Sequence, residues 1–280
     1  MTSESRPLHR DSPTLRRLAL AHPVTFAVAM TVVFALALVC WPLLVPVAEL
    51  RPPTAGWALW GVSATRVLVP AMVLTALAWW HLAGFARRVT WSTLWPSLPL
   101  VLFVVVNLAF GTGSWVTDPR TLAVAAFTYA ALGFGEEATF RGVVLRALEP
   151  IGLMRAAVIS ALLFGAFHLI NLVTGASLLD VSFSVLYTAL IGFAFAAPAL
   201  VTGAIWPLIV IHALMDLANA VQAGAPLAVS VSASSPDLTS RLLSAVPNAL
   251  LALYGYWLLR RHLTHRGRAD DHAGVAGRER

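Results

Sequence analysis

The chain has 280 residues, of which 59% are hydrophobic and only 11% are charged, and its mean hydropathy is +0.79. This composition excludes an ordinary soluble globular domain and indicates a membrane protein. All 19 basic residues are arginines that gather towards the two ends of the chain, so the net charge of +6 reports membrane topology and does not indicate a nucleic-acid partner.

Taken in chain order, the apolar stretches form eight candidate membrane spans, separated by short segments rich in Pro, Gly, Arg or Asp. A helix needs about 20 apolar residues to cross a bilayer. The candidates lie near 23–47, 60–83, 96–113, 121–147, 152–173, 181–202, 204–222 and 241–260. The first is too long for the apolar core of a signal peptide, so we expect it to be retained. The sequence therefore predicts an all-α polytopic membrane protein with about eight transmembrane helices.

The arginines predict the orientation of these spans. With eight spans, the loops on one side hold the N-terminal and C-terminal clusters, Arg87 with Arg88, and Arg146 with Arg155. The opposite loops hold fewer arginines, mostly beside an acidic residue. The positive-inside bias predicts that both termini are cytoplasmic, which requires an even number of spans. The lysine-free, Ala- and Arg-rich composition indicates a bacterial cytoplasmic membrane.

The domain organisation is simple. We expect a basic cytoplasmic segment over 1–22, a single transmembrane domain over 23–262 and a cytoplasmic polar tail over 263–280. Residues 1–15, the loop 223–240 and the tail after His262 have a composition typical of disorder.

Six ionisable residues fall deep inside the predicted spans. They are Glu136, Glu137 and Arg141 in the fourth span, His168 in the fifth, and His212 and Asp216 in the seventh. A charge within the bilayer costs several kcal/mol unless it is paired or hydrated, so these residues are expected to face a buried polar cavity and are candidates for function. Arg66, in the second span, is the exception, because we expect it to snorkel or to pair locally.

The fourth span carries its ionisable residues in the stretch "GFGEEATFRG". Glu137 and Arg141 are four residues apart and share a helix face, which predicts an ion pair that fixes the helix. Glu136 lies about 100° around the helix and is predicted to point elsewhere, free for chemistry. Gly133 and Gly135 are expected to let a neighbouring helix approach closely.

The fifth and seventh spans repeat the four-residue spacing. Phe164 and His168 share a face in "FGAFH", and His212 and Asp216 share one in "HALMD". A single histidine on an apolar helix is usually a core residue. Two histidines on different spans, together with carboxylates, favour an active site that is reached from the cytoplasm.

The three motifs, read as EExxxR, FxxxH and HxxxN/D, resemble those of the CAAX-protease and bacteriocin-processing family (CPBP, also called Abi) of intramembrane proteases. The eukaryotic relative in that family is the type II CAAX prenyl endopeptidase. The resemblance covers residues 120–222. It implies an intramembrane endopeptidase that hydrolyses a peptide bond of a membrane-associated protein or peptide.

The resemblance also implies a role for each motif residue. Glu136 would act with His168 to activate a water molecule. His212 and Asp216 would stabilise the oxyanion of the tetrahedral intermediate. The supporting residues would be Glu137, Arg141 and Phe164. Peptide hydrolysis needs an activated water, an acid for the leaving amine and donors for the developing charge, which these residue types can supply.

Asp216 departs from the eukaryotic pattern, which has Asn at this position. An ionised Asp cannot donate to an oxyanion, so Asp216 is protonated, orients His212 or is a metal ligand. Glu136, His168, His212 and Asp216 would suit zinc, whereas Cys40 is the only cysteine and no thiolate cluster can form. The resemblance favours a mechanism without a cofactor, and zinc is the alternative.

Three other interpretations remain open at this stage. The polar groups could form a structural network that joins helices, or serve as a proton relay in a proton-coupled transporter. The chain could also keep the family fold as a non-proteolytic scaffold or regulator of a membrane partner. Against the transporter, no internal repeat relates the two halves of the sequence. The expected partners are the lipid bilayer and a peptide or protein substrate, and not nucleic acid.

Overall fold

The computed structural model describes residues 14–44, 57–110, 118–222 and 238–276. Within these ranges all regular secondary structure is helical, which confirms the predicted fold class. The α-helices are α1 (Thr14–Ala21), α2 (Pro23–Leu44), α3 (Trp57–Leu77), α4 (Trp91–Leu94), α5 (Leu98–Phe110), α6 (Pro119–Glu137), α7 (Leu145–Leu148), α8 (Leu153–Phe167), α9 (Leu178–Thr202), α10 (Trp206–Gln222) and α11 (Leu238–Ala276). A π-helix (Ala138–Val144) joins α6 to α7, and 3₁₀ turns (Trp95–Ser97, Glu149–Ile151, His168–Leu172) precede α5, precede α8 and follow α8.

Six helical segments in the described ranges are long and apolar enough to cross a membrane. They are Pro23–Trp41, Leu59–Leu77, Trp91–Ala109, Leu153–Leu172, Leu178–Thr202 and Arg241–Arg266. A further apolar helix, Trp206–Val221, is shorter. The segments correspond to six of the eight predicted spans, and the chain is therefore an integral membrane protein. The predicted spans 121–147 and 204–222 are helical, but the first carries several charges and the second is short, so the total of eight remains a prediction.

The fourth predicted span is the central helix of the fold. It starts at Asp118, whose side chain accepts a hydrogen bond from the Thr121 backbone N–H at 2.8 Å, with Pro119 in the first turn. Hydrogen bonds from the Thr121 hydroxyl and backbone lower the pKa of the Asp118 carboxyl. Every residue over 135–148 is buried. Lipid does not reach this stretch, which explains how a membrane protein accommodates charges in it.

The neighbouring helices surround this central helix. α3 and α10 pack against α6, α2 packs against the π-helix, and α9 packs against α8 and α11. A Cβ atom on Gly133 would lie 2.8 Å from the Ile209 carbonyl oxygen on α10, and one on Gly135 would lie 2.6 Å from the Arg66 carbonyl oxygen on α3. Both glycines therefore permit the close helix approach that the sequence predicts.

Two predicted boundaries differ from the structure. α3 ends at Leu77 and not at residue 83, because Ala78 adopts a left-handed backbone (φ 55°) and the Trp79 N–H donates to the Leu74 carbonyl at 2.9 Å, which closes the helix. α11 continues to Ala276, so the tail that was expected to be disordered is helical up to that residue. Most of the other segments predicted to be disordered, 1–13 and 223–237, lie outside the described residues.

Candidate active site

The predicted ion pair of Glu137 and Arg141 is present where α6 passes into the π-helix. Glu137 Oε1 accepts from Arg141 Nη1 at 2.9 Å, and both side chains are almost fully buried. Arg141 Nη2 also donates to the Gly192 carbonyl of α9 at 3.1 Å, and the guanidinium carbon lies 4.6 Å from the ring centre of Phe164. These contacts tie α6 to α8 and α9, and the charge of Arg141 is directed at Glu137.

His212 lies between the two glutamates. Its Nδ1 atom is 2.7 Å from Glu137 Oε1, and its Nε2 atom is 3.7 Å from Glu136 Oε2 and 3.5 Å from Asp216 Oδ2. A carboxylate only accepts hydrogen bonds, so the short contact to Glu137 puts a proton on Nδ1 and leaves Nε2 facing Glu136 and Asp216.

Helix spacing predicts the direction of Glu136 but leaves out one contact. Glu136 and Glu137 diverge around the helix as expected, but one imidazole reaches both of them with its two nitrogens. Sequence spacing on a single helix cannot predict this contact, because the bridging ring comes from α10.

His168 begins the 3₁₀ turn that follows α8. Its Nδ1 atom lies 2.9 Å from the Phe164 carbonyl oxygen, which can only accept, so Nδ1 carries the proton and Nε2 is left as an acceptor. The rings of Phe164 and Phe167 contact the imidazole edge-on, with centres 5.1 and 5.5 Å away. The histidine is thus held in one tautomer and one orientation.

A cavity of about 130 Å³ brings the four predicted catalytic residues together. Its polar lining includes Glu136, His168, His212 and Asp216. The remaining lining residues are Leu132, Arg141, Phe164, Thr188, Ile191, Phe195 and Met215. The volume is enough for several water molecules, and the polar groups can hold them. Among the described residues no direct hydrogen bond joins Glu136 to His168, so a water between them is the arrangement that the cavity allows.

The donor atoms do not form a metal site in the part of the chain that the structure describes. No three His, Cys, Asp or Glu side chains there are arranged to hold a metal ion. Glu137 also occupies one nitrogen of His212. The predicted ligand set of Glu136, His168, His212 and Asp216 therefore does not fit zinc in this structure, and we derive no step through a metal.

Sequence reasoning missed one side chain that contacts the site, and discounted a second residue that lies beside it. Phe195 on α9 packs against His212, with ring centres 5.5 Å apart, and lies under the Arg141 guanidinium at 5.3 Å. α9 has no charged residue near this point, so the sequence carries no signal for it. Arg66 was expected to snorkel or pair locally, but its backbone lies against Gly135, beside Glu136, and its Nε atom is buried. The sequence did carry a signal for Arg66, because a charged residue inside a predicted span is itself a candidate for function.

Part of the chain matches the model of a known protein family. Residues 118–218 match the family model described as "Type II CAAX prenyl endopeptidase Rce1-like". No match was found among curated proteins or among solved structures. The match confirms the resemblance read from the three motifs, and the matched segment contains every predicted motif residue from Glu136 to Asp216. It points to a CAAX-type membrane protease.

Proposed function

We propose, from the premise that residues 118–218 belong to the Rce1-like family of type II CAAX prenyl endopeptidases, that this chain is an intramembrane endopeptidase. Its substrate would be a membrane-associated peptide or protein. The observation that carries the proposal is that Glu136, His168, His212 and Asp216, from three helical segments, line one cavity large enough for water. Such a convergence of polar groups inside an apolar bundle is costly and is therefore a functional candidate.

Water activation is assigned to Glu136 and His168. A water molecule between the Glu136 carboxylate and the unprotonated Nε2 of His168 would lose a proton to one of them as its oxygen attacks the carbonyl carbon. The same proton would then pass to the leaving amine nitrogen as the C–N bond breaks. Phe164 supports this step, because its carbonyl fixes the His168 tautomer.

Stabilisation of the intermediate is assigned to His212. Its Nδ1 atom is anchored by Glu137, and its Nε2 edge faces the cavity, where a proton on Nε2 could be donated to the oxyanion. Asp216, four residues later, accepts on that same edge and would orient the ring rather than donate. Arg141 holds the Glu137 carboxylate in place, and this carboxylate in turn fixes the position of the His212 ring.

The proposed topology follows the arginine distribution. We place both termini in the cytoplasm of a bacterial cell, with eight crossings that include the central helix and α10. The active site would then open towards the cytoplasm. The composition and the motifs carry no signal for prenyl recognition, so peptide leaders, bacteriocin precursors and other membrane-associated peptides are the proposed substrates.

The experiment compares small peptides in the membranes and medium of cells that express the wild type or Glu136→Gln at matched levels. Glu149→Gln is the matched control, because Glu149 lies in the 3₁₀ turn that ends the same continuous helical run, pairs with Arg146 and lies outside the cavity. Peptides that depend on Glu136 but not on Glu149 would support the protease and reveal its substrate. An unchanged peptide pool with an unchanged host phenotype would favour the non-proteolytic scaffold.

A further inference from the structure

Arg66 lies against the central helix at the position next to Glu136. A Cβ atom on Gly135 would be 2.6 Å from the Arg66 carbonyl oxygen and 2.9 Å from the Arg66 Cβ, so the two backbones are in contact. Pro70 lies four residues after Arg66 in α3 and has no backbone N–H, so it cannot donate the usual helical hydrogen bond to the Arg66 carbonyl. The proline ring also lies close to that carbonyl oxygen. The free carbonyl therefore faces the Gly135 backbone, where a glycine Cα–H can make a weak contact with it. The local sequence of α3 fixes Arg66 beside the site.

The Arg66 side chain has no direct partner among the described residues. Its Nε atom is buried without a hydrogen-bond acceptor, and no carboxylate makes an ion pair with it there. The carboxylates of Glu136 and Asp216 act on its charge through space, and the neutral hydroxyl of Tyr129 lies near the same groups. Arg66 thus lies within electrostatic range of two acidic residues of the site.

The charges of the site are unbalanced without Arg66. Three carboxylates, Glu136, Glu137 and Asp216, surround His212. Arg141 forms an ion pair with Glu137 only, and no other guanidinium in the described part of the chain pairs with Glu136 or Asp216. Arg141 and a His212 protonated on both nitrogens still leave one of the three negative charges uncompensated. Uncompensated charge inside a membrane protein is strongly unfavourable, so a further cation near these carboxylates has a clear physical role.

We propose that Arg66 is a positioning residue for the hydrolysis, whose guanidinium balances the negative charge of Asp216 and Glu136 from the α3 side of the site. Asp216 can then remain an acceptor beside Nε2 of His212 without an uncompensated charge. An asparagine at 216 would be neutral and would need no such cation. This inference rests on the proposed function.

A double-mutant cycle tests the coupling of Arg66 to Asp216. The four chains are the wild type, Arg66→Gln, Asp216→Asn and the double variant, and the first readout is the amount of Glu136-dependent peptides in cells at matched expression. Arg66→Gln should lower this amount about tenfold in the wild type, and by less than about threefold in the Asp216→Asn background, because coupled residues are not additive. Arg66→Lys should restore most of the loss, since it returns the charge.

A second readout does not depend on activity. The same chains, purified in detergent, are unfolded thermally and followed by tryptophan fluorescence. Arg66→Gln should lower the unfolding midpoint of the wild type and change that of Asp216→Asn much less. Arg155→Gln, which removes an exposed arginine of α8, is the matched control and should shift both backgrounds equally.

The outcomes separate the two proposals. Equal effects of Arg66→Gln in both backgrounds, in cleavage or in stability, would overturn the role of Arg66. Normal cleavage by Arg66→Gln would overturn it as well. If no Glu136-dependent peptides exist, the proposed function fails, while the unfolding cycle still decides whether Arg66 balances Asp216.

Discussion

At the scale of single residues, the two adjacent glutamates have different surroundings. Glu137 is fully buried and accepts hydrogen bonds from Arg141 and His212 on one oxygen. Glu136 lines the cavity and makes only the longer contact to His212. A buried carboxylate is tolerated when charged donors meet it, so Glu137 is suited to support the fold and Glu136 to react.

Replacing each glutamate by glutamine should separate these roles. Glu137→Gln leaves the Arg141 charge buried without its partner, and should lower the free energy of unfolding by about 3–5 kcal/mol. Glu136→Gln should change it by less than about 1 kcal/mol and abolish the proposed cleavage. Unfolding of the two purified variants in detergent measures both changes in the free energy of unfolding. Equal destabilisation by the two substitutions would contradict the assignment.

The reaction should not depend on a metal ion. No three donor side chains in the described residues are placed to hold a metal ion, and the proposed mechanism uses Glu136, the two histidines and Asp216 without one. Glu136-dependent cleavage in isolated membranes should therefore survive a chelator, and the purified chain should contain less than one zinc ion per chain. Stoichiometric zinc that is lost in Asp216→Ala would contradict this prediction and restore the metalloprotease alternative.

At the scale of elements, apolar run length predicted the helices well and their local irregularities poorly. The end of α3 depends on Ala78 in a left-handed conformation, a position where sequence reasoning expects Gly or Asn. The apolar pattern of the span does not predict the π-helix over Ala138–Val144, a local geometry that is frequent at functional sites. The motif spacings predicted which residues meet along one helix. Contacts between helices, such as Phe195 with His212, could not be read from spacing.

The α3–α6 contact gives a prediction at this scale. In Gly135→Ala the new Cβ would meet the Arg66 backbone at 2.6 Å, so the helices must separate, at a cost of about 1–3 kcal/mol in the free energy of unfolding. Gly142→Ala is the matched control, because its Cβ would meet the Ala83 Cβ at 3.3 Å, where a small shift suffices. Thermal unfolding compares the two variants. An equal or larger effect of Gly142→Ala would show that the contact with α3 is not tight.

At the scale of the whole molecule, the site occupies the segments that are least suited to lipid. The six clearly apolar spans carry few site residues, whereas the central helix and α10 hold both glutamates, Arg141, His212 and Asp216. Surrounding helices cover the central helix, and this lets it stay polar. A polar segment that is surrounded by protein can cross a membrane, although the same segment exposed to lipid would be too costly to insert. If the central helix and α10 both cross, hydropathy alone undercounts the crossings of this chain.

Single cysteines in a Cys40→Ser background distinguish eight crossings from six. If the central helix and α10 both cross, Pro150→Cys should be cytoplasmic and Ala176→Cys external; if neither crosses, the two positions exchange sides. The termini, probed by Ser3→Cys and Ala273→Cys, are expected to be cytoplasmic in both cases and serve as the control. We expect a membrane-impermeant maleimide added to intact cells to label Ala176→Cys, and to label Pro150→Cys only after permeabilisation. The reverse pattern would mean that the central helix does not cross, and that the cavity it lines with His212 is built without a full transmembrane passage of either helix.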